Sequence, residues 1–139
     1  MVTNFYGKTD VGLKRETNQD CFVIENITEN VLLMIVCDGM GGANGGNIAS
    51  SIAVKTVSDC VLNAYHSEMK SNSIIAMLES AIIAANINVY DEAKEKSELK
   101  GMGTTVVAAI CSRDSAIIAH AGDSRAYLLS SSRGWRPAA

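Results

Sequence analysis

Asp38-Gly39-Met40-Gly41-Gly42 is the stretch best suited to chemistry, because its aspartate ends an apolar run and opens a glycine-rich turn. A carboxylate at the end of a buried strand is held by rigid backbone yet reaches the sheet edge, which suits a metal ligand. Hard cations such as Mg²⁺ and Mn²⁺ take carboxylate, backbone carbonyl and water oxygens. Gly39 has no side chain to screen its own carbonyl from a metal. Gly41 and Gly42 let the chain turn sharply and approach a ligand closely. An Asp-Gly pair alone is a common turn; five residues ending in a double glycine, directly after an apolar strand pattern, favour the metal reading. The same stretch nearly spells a dinucleotide-binding fingerprint, with an acidic residue, Asp59, at about the required 20-residue spacing. Asn44 replaces the third glycine and Asp59 falls inside a helical pattern, so that reading ranks behind.

Arg15-Glu16-Thr17-Asn18-Gln19-Asp20 stands just before a second strand pattern. The start of an antiparallel strand lies beside its neighbour's end, so Asp20 and Asp38 can meet. Arg15, in the preceding loop, reaches towards the same place, and its planar guanidinium suits a bidentate hold on a phosphate group. Taken alone, such an arginine is ordinarily a surface residue. Gly122-Asp123-Ser124-Arg125 falls at a turn between strands and alone reads as a hairpin turn with a routine aspartate. Gly101-Met102-Gly103-Thr104-Thr105 leads into a strand, and its small residues read as permitting close packing.

The elements that must position these residues follow from periodicity. Strands are predicted near Asn4–Gly7 and at Cys21–Ile27, Val31–Cys37, Thr104–Cys111, Ala116–Ala121 and Arg125–Leu129, with Glu29-Asn30 turning the second into the third. Ala49, Ala53, Val57, Cys60, Val61 and Ala64 recur at helical spacing. A second helical stripe runs through Ile74, Leu78, Ala81, Ile82, Ala85 and Val89, with Ser71-Asn72-Ser73 as its N-cap. Asp91 to Lys100 reads as a solvated face or loop. Strands, then two long helices, then strands again indicate α+β layers rather than alternating βαβ units. Residues 1–129 form the body. Residues 130–139 hold the only tryptophan and the only proline, show no periodicity, and read as a linker, a frameshifted end or a vector-derived remnant.

Composition narrows the partners. With 139 residues, 47% hydrophobic content and 19% charge, the chain is expected to fold into one core. A net charge of −3 and no basic run give no reason to expect nucleic acid or an anionic membrane as partner. The longest uninterrupted apolar stretches are far short of the ~20 residues that span a bilayer, and no signal-peptide pattern opens the chain. A cytoplasmic protein with four reduced cysteines is expected, because no C-x-x-C pair or ligand-spaced histidine accompanies them. His66, near a helix end, and His120, in a strand, read as packing or surface residues.

In their order and spacing, the Arg15–Asp20 cluster, D-G-M-G-G, G-M-G-T-T and G-D-S-R-A-Y-L resemble the protein phosphatase 2C family, especially its bacterial members. The resemblance covers Asn4 to Leu129. It implies a four-layer α-β-β-α sandwich, incomplete at the C-terminus, with a metal centre at one end of the sheets. By that analogy Asp38 bridges two Mn²⁺ or Mg²⁺ ions, Gly39 offers its carbonyl, Asp20 acts through water, and Asp123 matches the position that helps hold a third ion. Arg15 grips the substrate phosphate. The implied reaction is two-metal hydrolysis of phosphoserine or phosphothreonine in a phosphoprotein, downstream of a serine/threonine kinase pathway. Gln19 stands where many relatives carry glutamate, which removes a charged acceptor for a metal-bound water, and Met40 is the residue usual in bacterial members. Family catalytic domains run about twice as long and carry further metal-binding aspartates, so weak or absent turnover is expected of this chain. The alternative is a truncated, non-catalytic phosphatase-like module that binds a partner.

Overall fold

A computed structural model describes residues 4–42 and 44–138. Strands β1 (Asp20–Thr28) and β2 (Val31–Met40) form the predicted hairpin. Helices α1 (Gly45–Ala64) and α2 (Ser71–Glu95) follow, then β3 (Gly103–Thr104), β4 (Val106–Cys111), β5 (Ala116–Ala121), β6 (Tyr127–Ser130) and β7 (Gly134–Pro137). The main sheet is antiparallel in the order β1-β2-β4-β5, with β3 beside the end of β2, and β6 and β7 pair separately. This is the expected α+β architecture in part: one helical layer on a main sheet, plus a small second sheet.

Alternation along β2 sorts its side chains into two faces. Leu33, Ile35 and Cys37 are buried against the helices, whereas Val36, Asp38 and Met40 are exposed. On β4, Val106, Ala108 and Ile110 join the helical side. They meet Ala53, Val57 and Val61 of α1 and Leu78, Ala81 and Ala85 of α2. The small alanines bring both helices close to the sheet, and burial of these apolar surfaces is the main force holding the layers together.

Several elements differ from the sequence expectation. Residues 4–10 form no strand; the backbone at Gly7 instead lies against Phe22 and Ile24 on the outer face of β1. Ser71 already belongs to α2, and Lys70 is the N-cap without a side-chain hydrogen bond, so the Ser-Asn-Ser run is the first helical turn. The charged stretch from Asp91 continues α2 to Glu95, with Lys96 paired to Glu92 one turn back, and Leu99 in the following 3-10 turn is buried. α2 is also long and apolar enough by length and composition to cross a membrane. Its hydrophobicity is dispersed among polar residues, so no uninterrupted run reveals it. One side of α2 is consumed by the core through Leu78, Ala81 and Ala85.

Residues 130–138 of the tail, too, have regular structure. Trp135 in β7 stands opposite Leu129 in β6, and its ring meets Tyr127 edge-on at 6.3 Å. The division expected at Leu129 therefore falls inside a hairpin. All four residues of β7 are exposed, so no buried face imposes an alternating pattern on the sequence. The four cysteines are free thiols, as expected.

Candidate metal centre

The register of the first hairpin sets the centre. Asp20 pairs with Asp38 directly across the β1–β2 ladder. The Gly39 amide donates to the Gln19 carbonyl at 3.1 Å, which marks residues 19 and 39 as a hydrogen-bonded pair. Alternation then makes Asp20 and Asp38 a non-hydrogen-bonded pair, the class in which facing side chains approach most closely. Both carboxylates lie on the exposed side of the sheet, away from the helices.

Electrostatics record the proximity. Burial raises the Asp20 carboxyl above its ordinary value, reinforced by the facing charge of Asp38 and by a hydrogen bond to Asp38, while Arg15 partly offsets the rise. Arg15 lies in the exposed loop before β1, and its charge is felt at Asp20. Asn18 ties that loop down: its amide donates to Thr9 Oγ1 at 2.7 Å and its oxygen accepts from the Asp20 amide at 3.0 Å.

The sign of the pH effect follows. Because Asp20 binds its proton more tightly folded than unfolded, the metal-free fold loses stability as pH rises from the ordinary carboxylate range through the raised value. Asp20→Asn removes this penalty. In EDTA, urea unfolding is expected to show the variant gaining on the wild type between acid and neutral pH, by less than about 1 kcal/mol because the pair is wet and screened. A difference independent of pH would contradict this assignment.

The glycine turn is built by contacts rather than by flexibility alone. Gly41 has φ +132°, and a Cβ there would come within 2.8 Å of the Met102 backbone. Gln19 secures the same turn: its side-chain amide donates to the carbonyls of Gly41 at 3.1 Å and Gly42 at 3.0 Å. The Gln19 backbone carbonyl also accepts from Ser50 Oγ at 2.8 Å, which fastens the start of α1. Gln19 is thus a donor to the loop, a role that glutamate at this position cannot fill when ionised. Gln19→Glu is expected to destabilise the fold by about 1 kcal/mol through the loss of two hydrogen bonds whose carbonyls water can partly reach, read as a lower urea midpoint with unchanged slope.

On the other side of β2, Val36 pairs with Val107 and Gly39 with Thr104, so the same register puts Asp38 opposite Thr105. There the ladder is modified. The Thr105 amide donates to the Asp38 carbonyl at 2.9 Å, but the Asp38 amide donates to the Thr105 hydroxyl at 3.1 Å. This exchange splits the single strand expected over Thr104–Cys111 into β3 and β4. Thr105 is a residue that sequence reasoning passed over as packing.

Asp123 lies on the exposed turn after β5, next to Ser124, whose hydroxyl bonds that of Thr105 at 2.6 Å. Among the described residues no group of three or more acidic, histidine or cysteine side chains comes within metal-binding distance. The structure pairs Asp20 with Asp38 next to Gly39, and Asp123 does not join them in such a group. Asp59, the acidic residue of the dinucleotide reading, is on the exposed side of α1 in an ion pair with Lys55 at 2.7 Å. With an antiparallel sheet as well, nothing of that reading survives. His66 and His120 are exposed. The groove of about 550 Å³ between α2 and β3, lined by Ala85, Val89, Tyr90 and Met102, contains none of the acidic residues.

The donor set fits a hard divalent cation. Two carboxylates face each other with only Arg15 partly offsetting their charge, and the backbone at Gly39 is packed so tightly that a Cβ would strike the Gly46 carbonyl. A cation would replace the repulsion by shared attraction. Paired carboxylates and a glycine turn stand at the end of an antiparallel sheet backed by two helices, an α+β scaffold that would offer oxygen ligands to a metal ion.

Comparison with known proteins gives the family. The sequence model of protein phosphatase 2C matches residues 13–139. Serine/threonine phosphatase stp of Listeria monocytogenes is 37% identical over 122 residues, covering 88% of this chain and 48% of that protein. Serine/threonine protein phosphatase PstP of Mycobacterium tuberculosis is 29% identical over 129 residues, covering 93% of this chain and 23% of that protein. Among solved structures, serine/threonine phosphatase Stp1 from Staphylococcus aureus superposes with a TM-score of 0.82 at 35% identity, over 94% of this chain and 50% of that one. The catalytic domain of PstP in complex with two manganese ions gives 0.78 at 26% identity, over 95% and 53%. The chain belongs to the protein phosphatase 2C family, and it spans about half the length of the Listeria relative it matches.

Proposed function

We propose that this chain supplies the first half of a centre for metal-dependent hydrolysis of phosphoserine and phosphothreonine in proteins. The observation that carries the reading is the direct pairing of Asp20 with Asp38 at the mouth of the glycine turn. Asp38 and the Gly39 carbonyl would hold Mn²⁺ or Mg²⁺, with Asp20 supporting through water. Asp123 would serve a further, weaker ion. Such ions supply charge neutralisation at phosphoryl oxygens and acidify water. Arg15, in the loop before β1, would orient the phosphate and offset its charge. The relatives support this reading, being serine/threonine phosphatases, one of them solved in complex with two manganese ions. We place the protein in the cytoplasm, acting on phosphoproteins made by a serine/threonine kinase.

Only two carboxylates are gathered, so the chain as it stands is expected to turn over slowly or not at all. Phosphate release from a phosphothreonine peptide, with Mn²⁺ and then with EDTA, tests this. The expected result is a rate far below that of the Listeria relative, with any activity lost in EDTA and in Asp38→Ala. Metal-independent release would contradict the reading, and a rate equal to the relative's would contradict the expectation for this chain.

A further inference from the structure

We propose that Thr105 is a positioning residue that joins the Asp123 turn to Asp38 through its buried hydroxyl, so that the two acidic turns act as one unit in metal binding. The proposal rests on the metal-centre reading and adds to it a residue with no acidic or basic group. Thr105 is 4% exposed and sits opposite Asp38 at the gap between β3 and β4. It holds both backbone polar groups of Asp38: its amide donates to the Asp38 carbonyl at 2.9 Å, and its hydroxyl accepts from the Asp38 amide at 3.1 Å. A regular ladder would have used the Thr105 carbonyl for the second bond. That carbonyl instead accepts from Thr104 Oγ1 at 2.9 Å.

Having accepted from the Asp38 amide, the hydroxyl can still donate and accept, and it bonds the Ser124 hydroxyl at 2.6 Å. Ser124 follows Asp123 directly, so the bond fixes the height of the Asp123 turn over β2. Gly122 closes the contact from above; with φ +103°, its Cβ position lies 2.8 Å from Thr105 Cγ2. One buried threonine therefore sets where the Asp38 carboxylate starts from and where the Asp123 turn rests. Ordinary packing would need a threonine-sized side chain here but no hydroxyl, and valine would serve as well.

That contrast defines the test: Mn²⁺ titration calorimetry on the wild type, Thr105→Val, Thr105→Ser and Ser124→Ala, with metal-free amide exchange at Asp38 measured by NMR. Thr105→Val is expected to weaken Mn²⁺ binding about tenfold or more, the usual cost of losing a partner behind a metal ligand, and to speed exchange at Asp38. Thr105→Ser restores both. Ser124→Ala weakens Mn²⁺ binding but leaves Asp38 exchange unchanged, an outcome that general destabilisation does not produce. If Thr105→Val fails to fold, Ser124→Ala and Thr105→Ser decide. Wild-type Mn²⁺ affinity in both Thr105→Val and Ser124→Ala, or in Ser124→Ala alone where Thr105→Val is unfolded, overturns the proposal and leaves the metal centre standing. No Mn²⁺ binding by the wild type overturns the centre and the proposal together.

Discussion

Asp38→Asn is expected to lower Mn²⁺ affinity by more than about 100-fold, beyond what the loss of a supporting residue costs, while the fold stays intact. The fold survives because Asp38 is anchored through its backbone, by the Thr105 amide and hydroxyl, and asparagine keeps both bonds. The side chain itself is exposed. Replacing its charge leaves Asp20 as the sole carboxylate of the pair. It also removes the repulsion that adds to burial in raising Asp20, so the metal-free variant is expected to be no less stable than the wild type. Calorimetry gives the affinity, and urea unfolding in EDTA gives the stability. Affinity retained within tenfold would move the centre away from Asp38.

The second large effect belongs to a residue without a side chain. Gly39→Ala places a methyl group against the Gly46 carbonyl oxygen, and within 2.6 Å of both the Gly46 carbonyl carbon and the Gln19 carbonyl oxygen. All three are backbone atoms fixed by the β1–β2 ladder and the first turn of α1, so none can yield as a flexible side chain would. The expected cost is about 3 kcal/mol or more, the upper range for overpacking a tight interior, with Mn²⁺ binding lost as α1 is pushed off the strand. The neighbouring Gly42 is the control, because its Cβ position meets nothing within 4 Å. Gly42→Ala should unfold near the wild-type urea midpoint. Equal midpoints for the two variants would show that the strand–helix junction is looser than described.

Much of this was legible in the sequence where one face is buried. β1, β2 and β5 match their expected spans closely because helices cover one side of the sheet and enforce alternation. Their register then brings Asp20 to Asp38, as expected from hairpin geometry. The glycine turn was equally visible, since only glycine tolerates the positive φ of Gly41 beside Met102.

What escaped depends on partners far away in the chain. Thr105 reads as a strand residue, and its break in the ladder exists only because Asp38, 67 residues earlier, donates to its hydroxyl. Gln19 was judged by its missing charge, whereas its amide serves as a double donor to Gly41 and Gly42. β7 escaped because its four exposed residues follow their hairpin partner and no core. The hydrophobic character of α2 was hidden by dispersal, with Ile75, Ile83 and Ile87 exposed on the side away from the core.

Paramagnetic broadening by Mn²⁺ in amide NMR spectra tests the central claim most directly, because it locates the ion residue by residue. As substoichiometric Mn²⁺ is added, the signals of Asp20, Asp38, Gly39 and Gly41 are expected to vanish first, followed by those of Arg15 and Thr105, and excess Mg²⁺ should restore them. Broadening centred instead on the acidic end of α2 around Asp91, Glu92 and Glu95, or no selective broadening at all, would contradict the assignment of the Asp20–Asp38 pair as the metal centre.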